Sequence, residues 1–152
     1  MPLVTSQQCF AKYGDPEKNE LKFMVVWDVP ECCEHGAIPR KIYCNKDIVP
    51  LLKQAFKNVN DRGLVHELNT WSGCFNIRKK RGAASMSLHS WGLAVDMNPS
   101  DNQFGKSRAQ LVSEGRKPFS DAFVKCFTDA GFDWGGTWKK PDSMHFQIAK
   151  LP

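Results

Sequence analysis

The clearest pattern of apolar and polar positions lies between residues 45 and 63. Ile48, Leu51, Leu52, Ala55, Phe56 and Val59 recur at helical spacing, with Asn45 or Asp47 before them as N-cap and Gly63 after them as the C′ residue. Pro50 falls in the first turn, where its missing N–H does little harm. A second helix is predicted from Ser120 as N-cap, through Phe123, Val124 and Phe127, to Gly131 as C′. Strand periodicity marks Leu93, Val95 and Met97, which alternate with Gly92, Ala94 and Asp96, so that small residues and one carboxylate share a face. It returns at Met144 to Ile148, where His145 and Gln147 face one way and Met144, Phe146 and Ile148 face the core. Val65 to Trp71 reads as another strand and Arg78 to Ser87 as a polar loop. Residues 1–40, interrupted by Gly14, Pro16, Pro30, Gly36 and Pro39, read as irregular around one strand near Leu21 to Trp27. No repeat or linker interrupts the chain, so the pattern predicts one small α+β domain over residues 1–152.

Composition agrees with a packed globule: 41% of the residues are hydrophobic, and ten Phe and five Trp supply large rings, which excludes disordered and fibrous classes. The longest apolar run, Phe23 to Trp27, is strand-sized and far short of a membrane span. Met1 to Phe10 shows no basic stretch followed by an apolar one, so the expectation is a chain without a signal peptide, made in the cytoplasm. In that compartment the six cysteines are expected as free thiols. The net charge of +5 is uneven, since 10 basic and 3 acidic residues fall between Arg40 and Arg81. Such a segment suits an anionic partner, whether nucleic acid, membrane surface or wall polymer, and equally suits a solvated basic face.

Candidate chemistry concentrates at Ser87-Leu88-His89-Ser90-Trp91-Gly92-Leu93-Ala94-Val95-Asp96. His89 and Asp96 offer donors that zinc accepts, and they converge if the loop turns sharply onto the strand; alone, such a pair is more often unrelated polar residues. His145 offers a third donor, and Asp142, three residues earlier, is placed to reach a water bound to the same ion. Three protein ligands with one open position suit a catalytic zinc and not a structural one. His35 beside Cys32 and Cys33 lacks a second pair at structural-zinc spacing, and His66 reads as a strand histidine rather than a fourth ligand. Trp91 and Trp134 read as core rings, whereas Trp138 is placed to wall the cleft; Gly135-Gly136 marks a turn, not a phosphate cradle.

The pattern S-x-H-x-x-G-x-A-x-D, met by Ser87, His89, Gly92, Ala94 and Asp96, is followed by Trp134-Gly135-Gly136 and by D-x-x-H-F at Asp142 to Phe146. In this order the two motifs resemble the zinc peptidases of the D-alanyl-D-alanine carboxypeptidase and phage endolysin group, over residues 64–149. The resemblance implies a small α+β domain whose antiparallel sheet carries one zinc ion (Zn2+), with His89, Asp96 and His145 as ligands and Asp142 as general base. It further implies Arg78 as the arginine that steadies the oxyanion, with Arg81 a live competitor, and Ser87 as part of the substrate side. Gln147 departs from the family, where Glu is common two residues after the last histidine. The implied function is hydrolysis of peptidoglycan stem peptides, foremost by a phage endolysin with L-alanyl-D-glutamate endopeptidase activity that lyses the host. A D-Ala-D-Ala carboxypeptidase or dipeptidase is the alternative within enzymes, and a non-catalytic wall-binding or nucleic-acid-binding module the alternative outside them. The expected partner is peptidoglycan, with the Arg40 to Arg81 segment holding anionic wall or outer-membrane surface, no nucleic acid, and a monomer that acts on the wall after release from the cytoplasm.

Overall fold

Phe146 lies at the centre of the sheet that organises the protein, a computed structural model of which describes residues 2–33 and 36–152, Cys32 by its backbone only. Four short antiparallel strands form this sheet, β3 (Trp71–Gly73), β4 (Ala94–Met97), β5 (Phe132–Trp134) and β6 (His145–Ile148), in the order β3-β4-β6-β5. In β4 and β6 the pairs are Ala94 with Gln147, Val95 with Phe146, and Asp96 with His145. Period-two alternation therefore sends Val95 and Phe146 into the core and Asp96, His145 and Gln147 to the opposite face.

The core face is covered by α3 (Val49–Asp61) and α5 (Asp121–Thr128). Ser120 Oγ accepts the Phe123 N–H at 3.1 Å and caps α5, which buries Phe123, Val124, Cys126 and Phe127. Phe127 packs 4.7 Å from Phe146 and 6.2 Å from Phe56 of α3, centroid to centroid. These rings bury the area that drives the two layers together. The expected α+β class is what the chain adopts, and no described helix is long and apolar enough to cross a membrane.

Several local expectations are corrected. The described residues among 1–40 are not irregular: they form α1 (Ser6–Tyr13), α2 (Pro16–Phe23), β1 (Met24–Asp28) and a 3-10 turn at Glu31–Cys33, and β1 pairs with β2 (Lys41–Asn45) in a separate two-stranded sheet. A capping box at Thr5 and Gln8 starts α1, and Asp15 with Pro16 at the first helical position starts α2. Because α2 runs to Phe23, the strand begins at Met24 and not near Leu21. Neither Asn45 nor Asp47 caps α3, whose N-cap position is Ile48 without a side-chain bond. Both are held elsewhere: Asn45 Nδ2 donates to the Trp91 carbonyl at 2.9 Å, and Asp47 accepts the Tyr13 hydroxyl at 2.6 Å. Val65 to Thr70 is a 3-10 turn at Val65–Glu67 followed by a loop, and only Trp71 of the expected strand lies in β3, because Asn98 Oδ1 accepts the N–H groups of Asn69 and Thr70, each at 2.9 Å, in place of a strand neighbour. Helix α5 ends at Thr128, before Gly131, and a further short helix, α4 (Arg108–Ser113), stands behind a Ser107–Gln110 capping box. Cys9, Cys44, Cys74 and Cys126 are buried free thiols, and burial pushes the Cys9 and Cys44 thiols up to about 12. His35 lies outside the described residues, and of Cys32 only the backbone is described.

Candidate metal centre

His89 sits on a 3-10 turn, Leu88–Trp91, whose N-cap is Ser87: its Oγ accepts the His89 N–H at 3.2 Å. The turn closes at Gly92, whose φ of +65° favours glycine. A methyl group there would also lie 2.6 Å from Met24 Sδ and 2.7 Å from the Asn45 nitrogen, so the β1–β2 hairpin lies directly against it. The N-terminal segment backs the rest of the turn as well. Phe10 meets Trp91 edge-on at 4.9 Å, and the Trp91 indole N–H donates to the Gly14 carbonyl at 2.9 Å.

On its front the turn brings His89 to Asp96 and His145. His89 Nδ1–H donates to the Cys74 carbonyl at 2.6 Å, leaving Nε2 with its lone pair inward. His145 Nε2–H donates to Gln147 Oε1 at 2.9 Å, leaving Nδ1 inward in the same way. The two inward nitrogens are 3.2 Å apart, and Asp96 approaches them at 3.1 Å (Oδ2 to His89) and 3.3 Å (Oδ1 to His145). Two lone pairs and a carboxylate thus face one point, and the buried Asp96 Oδ1 makes no hydrogen bond. A cation resolves this arrangement. Donors about 2.0–2.1 Å from a tetrahedral zinc are about 3.3–3.4 Å from each other, close to the 3.2 Å between the two inward nitrogens. The donor set therefore fits zinc, and it is the cluster that the described residues offer for a metal ion. Burial pushes the Asp96 carboxyl up, but the two histidines outweigh it and hold it well below the usual range.

A cleft of about 290 Å³ opens beside the cluster, lined among others by Arg78, Ser87, Trp138, Asp142, His145 and Gln147. Asp142 Oδ2 lies 3.9 Å from His145 Nδ1, beside the cluster and outside its set of three donors. Its backbone N–H donates to the Gly135 carbonyl at 2.8 Å, and a methyl on Gly135 would lie 2.4 Å from the Asp142 carbonyl oxygen. Gly135 thus lets the Asp142 backbone approach closely, while a methyl on Gly136 would meet the Trp134 ring. Burial raises the Asp142 carboxyl, with His145 opposing. Trp138 lies 5.2 Å from the His145 ring. Arg78 is tied to the metal turn by two bonds to Ser90 Oγ, each 3.1 Å. Arg78 and Arg81 both line the cleft, so the structure brings both candidates to the site.

His66 is exposed and takes no part; Trp91 is buried, and Trp134 stacks on Phe146. Sequence reasoning missed Phe104, Lys139 and Lys140, which also line the cleft. No local pattern announces them, since their place depends on the fold. It also left the role of Gln147 open, although its spacing from His145 put both on one strand face.

No curated protein matches this chain. Residues 81–148, which hold the three donors and Asp142, match the family model described as D-alanyl-D-alanine carboxypeptidase. Through that segment the chain is similar to the peptidases of the D-alanyl-D-alanine carboxypeptidase family.

Proposed function

We propose that the protein is an endolysin-type zinc peptidase that cuts the L-alanyl-D-glutamate bond of peptidoglycan stem peptides and so lyses a bacterial host. The observation that carries the reading is the three-donor cluster, open on the cleft side, with Asp142 above it. Bound there, zinc supplies Lewis acidity, which makes a water nucleophilic at neutral pH and polarises the scissile carbonyl. Asp142 takes the proton of the attacking water and passes it to the departing amine. Arg78 faces the oxygen that becomes negative in the tetrahedral intermediate, where one donor is typically worth about 3 kcal/mol, and Arg81 serves the substrate side. Ser87 and Trp138 shape the substrate side, while Gln147 and the Cys74 carbonyl keep the two imidazoles in the tautomers a metal needs.

The chain would act as a monomer, made in the host cytoplasm and active on the wall after release. Within the basic segment, Lys41, Lys57 and Arg62 pair with Asp28, Asp61 and Asp129, and Arg78, Lys80 and Arg81 belong to the cleft. Attachment to anionic wall or outer-membrane surface then falls to Arg40, Lys46, Lys53 and Lys79. The family description favours a second reading, D-Ala-D-Ala carboxypeptidase. Purified peptidoglycan incubated with zinc-loaded protein should release stem peptides that begin at D-glutamate, and with His89→Ala none; equal release by both sinks the metal assignment. Mass analysis that finds only lost D-Ala overturns the endopeptidase assignment in favour of the carboxypeptidase.

A further inference from the structure

The cleft carries more positive charge than the chemistry at the metal cluster uses. Arg78, Lys80 and Arg81 line it from one loop and Lys139 and Lys140 from another, while Asp142 is the one acidic residue in its lining. Among the described residues none of these five cations forms an ion pair with a carboxylate, whereas Arg62, Lys106, Arg108 and Lys125 elsewhere do. Like charges gathered in one recess repel unless something offsets them. Phe104 provides the offset. The Arg81 guanidinium and the Lys140 ammonium each lie 5.0 Å from its ring centroid, within the range where a ring attracts a cation.

Phe104 is also held in place. Gly105 N–H donates to the Pro141 carbonyl at 2.7 Å, tying its loop to the Lys140 loop. The buried Asn102 side chain fixes the other end, accepting from the Phe119 N–H at 3.1 Å and donating to the Asn98 carbonyl at 3.0 Å. Two flexible cations are thereby ordered before any ligand arrives, which lowers the entropy lost on binding.

We infer that Phe104 is a positioning residue that gathers Arg81 and Lys140 into a carboxylate-binding wall, and that this wall selects stem peptides carrying a free carboxylate beside the cut bond. This rests on the endopeptidase reading. In a stem peptide D-glutamate continues the chain through its γ-carboxyl, so its α-carboxylate stays free next to the L-alanyl amide. Arg81 and Lys140 would donate charge-assisted hydrogen bonds to it.

The test uses the full-length, zinc-loaded chain carrying Asp142→Asn, titrated by calorimetry with L-Ala-γ-D-Glu-L-Lys-D-Ala-D-Ala and with the same peptide bearing an α-carboxamide on glutamate. The carboxylate form should bind roughly tenfold more tightly, the size of one charge-assisted hydrogen bond. Adding Phe104→Leu or Lys140→Gln should shrink that ratio severalfold, and Phe104→Tyr should restore it. Equal affinity for the two peptides overturns the inference, as does a ratio undiminished in both Phe104→Leu and the surface change Lys140→Gln. Cleavage by the wild-type enzyme is read separately, with KM for the amide expected to rise about tenfold while kcat changes little. Cutting only between the D-Ala residues overturns the endopeptidase reading, while the calorimetric ratio still decides the carboxylate wall.

Discussion

The two sides of the Leu88–Trp91 turn are built on different terms. Its front presents His89 to Asp96 and His145, a place that accepts only groups with the right donor atoms. Its back receives Phe10, Gly14, Met24 and Asn45 from the N-terminal segment, a place that asks only for shape, apolar area and a few hydrogen-bond partners. Chemistry restricts residue identity far more tightly than packing does. The front is therefore readable as a motif, and the back is not, although the front depends on it.

Substitutions can break or sharpen this division. The largest effect belongs to the front: Asp142→Asn should lower kcat by roughly 10²–10⁴-fold, the contribution of a general base, with zinc content unchanged. Stem-release kinetics alongside metal analysis check this, and a loss of zinc would move Asp142 from proton transfer to metal binding. On the back, Gly92→Ala forces a methyl against Met24 and the Asn45 backbone at positive φ. It should cost about 2–4 kcal/mol and lower the melting temperature by roughly 5–15 °C in calorimetry. Gln147→Ala removes the partner of His145 Nε2, and competition with a chelator should show zinc affinity weakened about 10–100-fold with the fold intact. The smallest effect is expected of Phe10→Ala, which removes the edge-on contact to Trp91 and should cost about 1 kcal/mol in a denaturant titration. Activity per folded molecule should then stay constant; if it falls, the two sides are not separable.

The same contrast explains what was legible in advance. Helix α5 and strands β4 and β6 were readable because each puts consecutive apolar positions into one core. Helices α1 and α2 bury only two residues apiece, too few for a periodic signal, so their sole markers were the Thr5–Gln8 box and Asp15-Pro16. The segment from Val65 to Trp71 looked like a strand until Asn98, distant in sequence, took the amides a neighbouring strand would have needed. At the site His89, Asp96, His145 and Asp142 were legible as donors with meaningful spacing. Phe104 and Lys140 were not, because a ring and a lysine acquire a function only from what the fold sets beside them.

Asp96 and His145 are cross-strand partners, so the distance between two of the three donors is a property of the backbone ladder itself. A slip of one residue would send His145 into the core and bring Phe146 out into the cleft, and no intermediate offset exists. Residues 98–144 contribute no donor to the trio. Their length and content can drift over evolutionary time without detuning it, as long as β6 returns in phase. The centre is in this sense compact: one capped turn with its backing, the Cys74 carbonyl and two four-residue strands are what a transplant into another antiparallel sheet would have to carry.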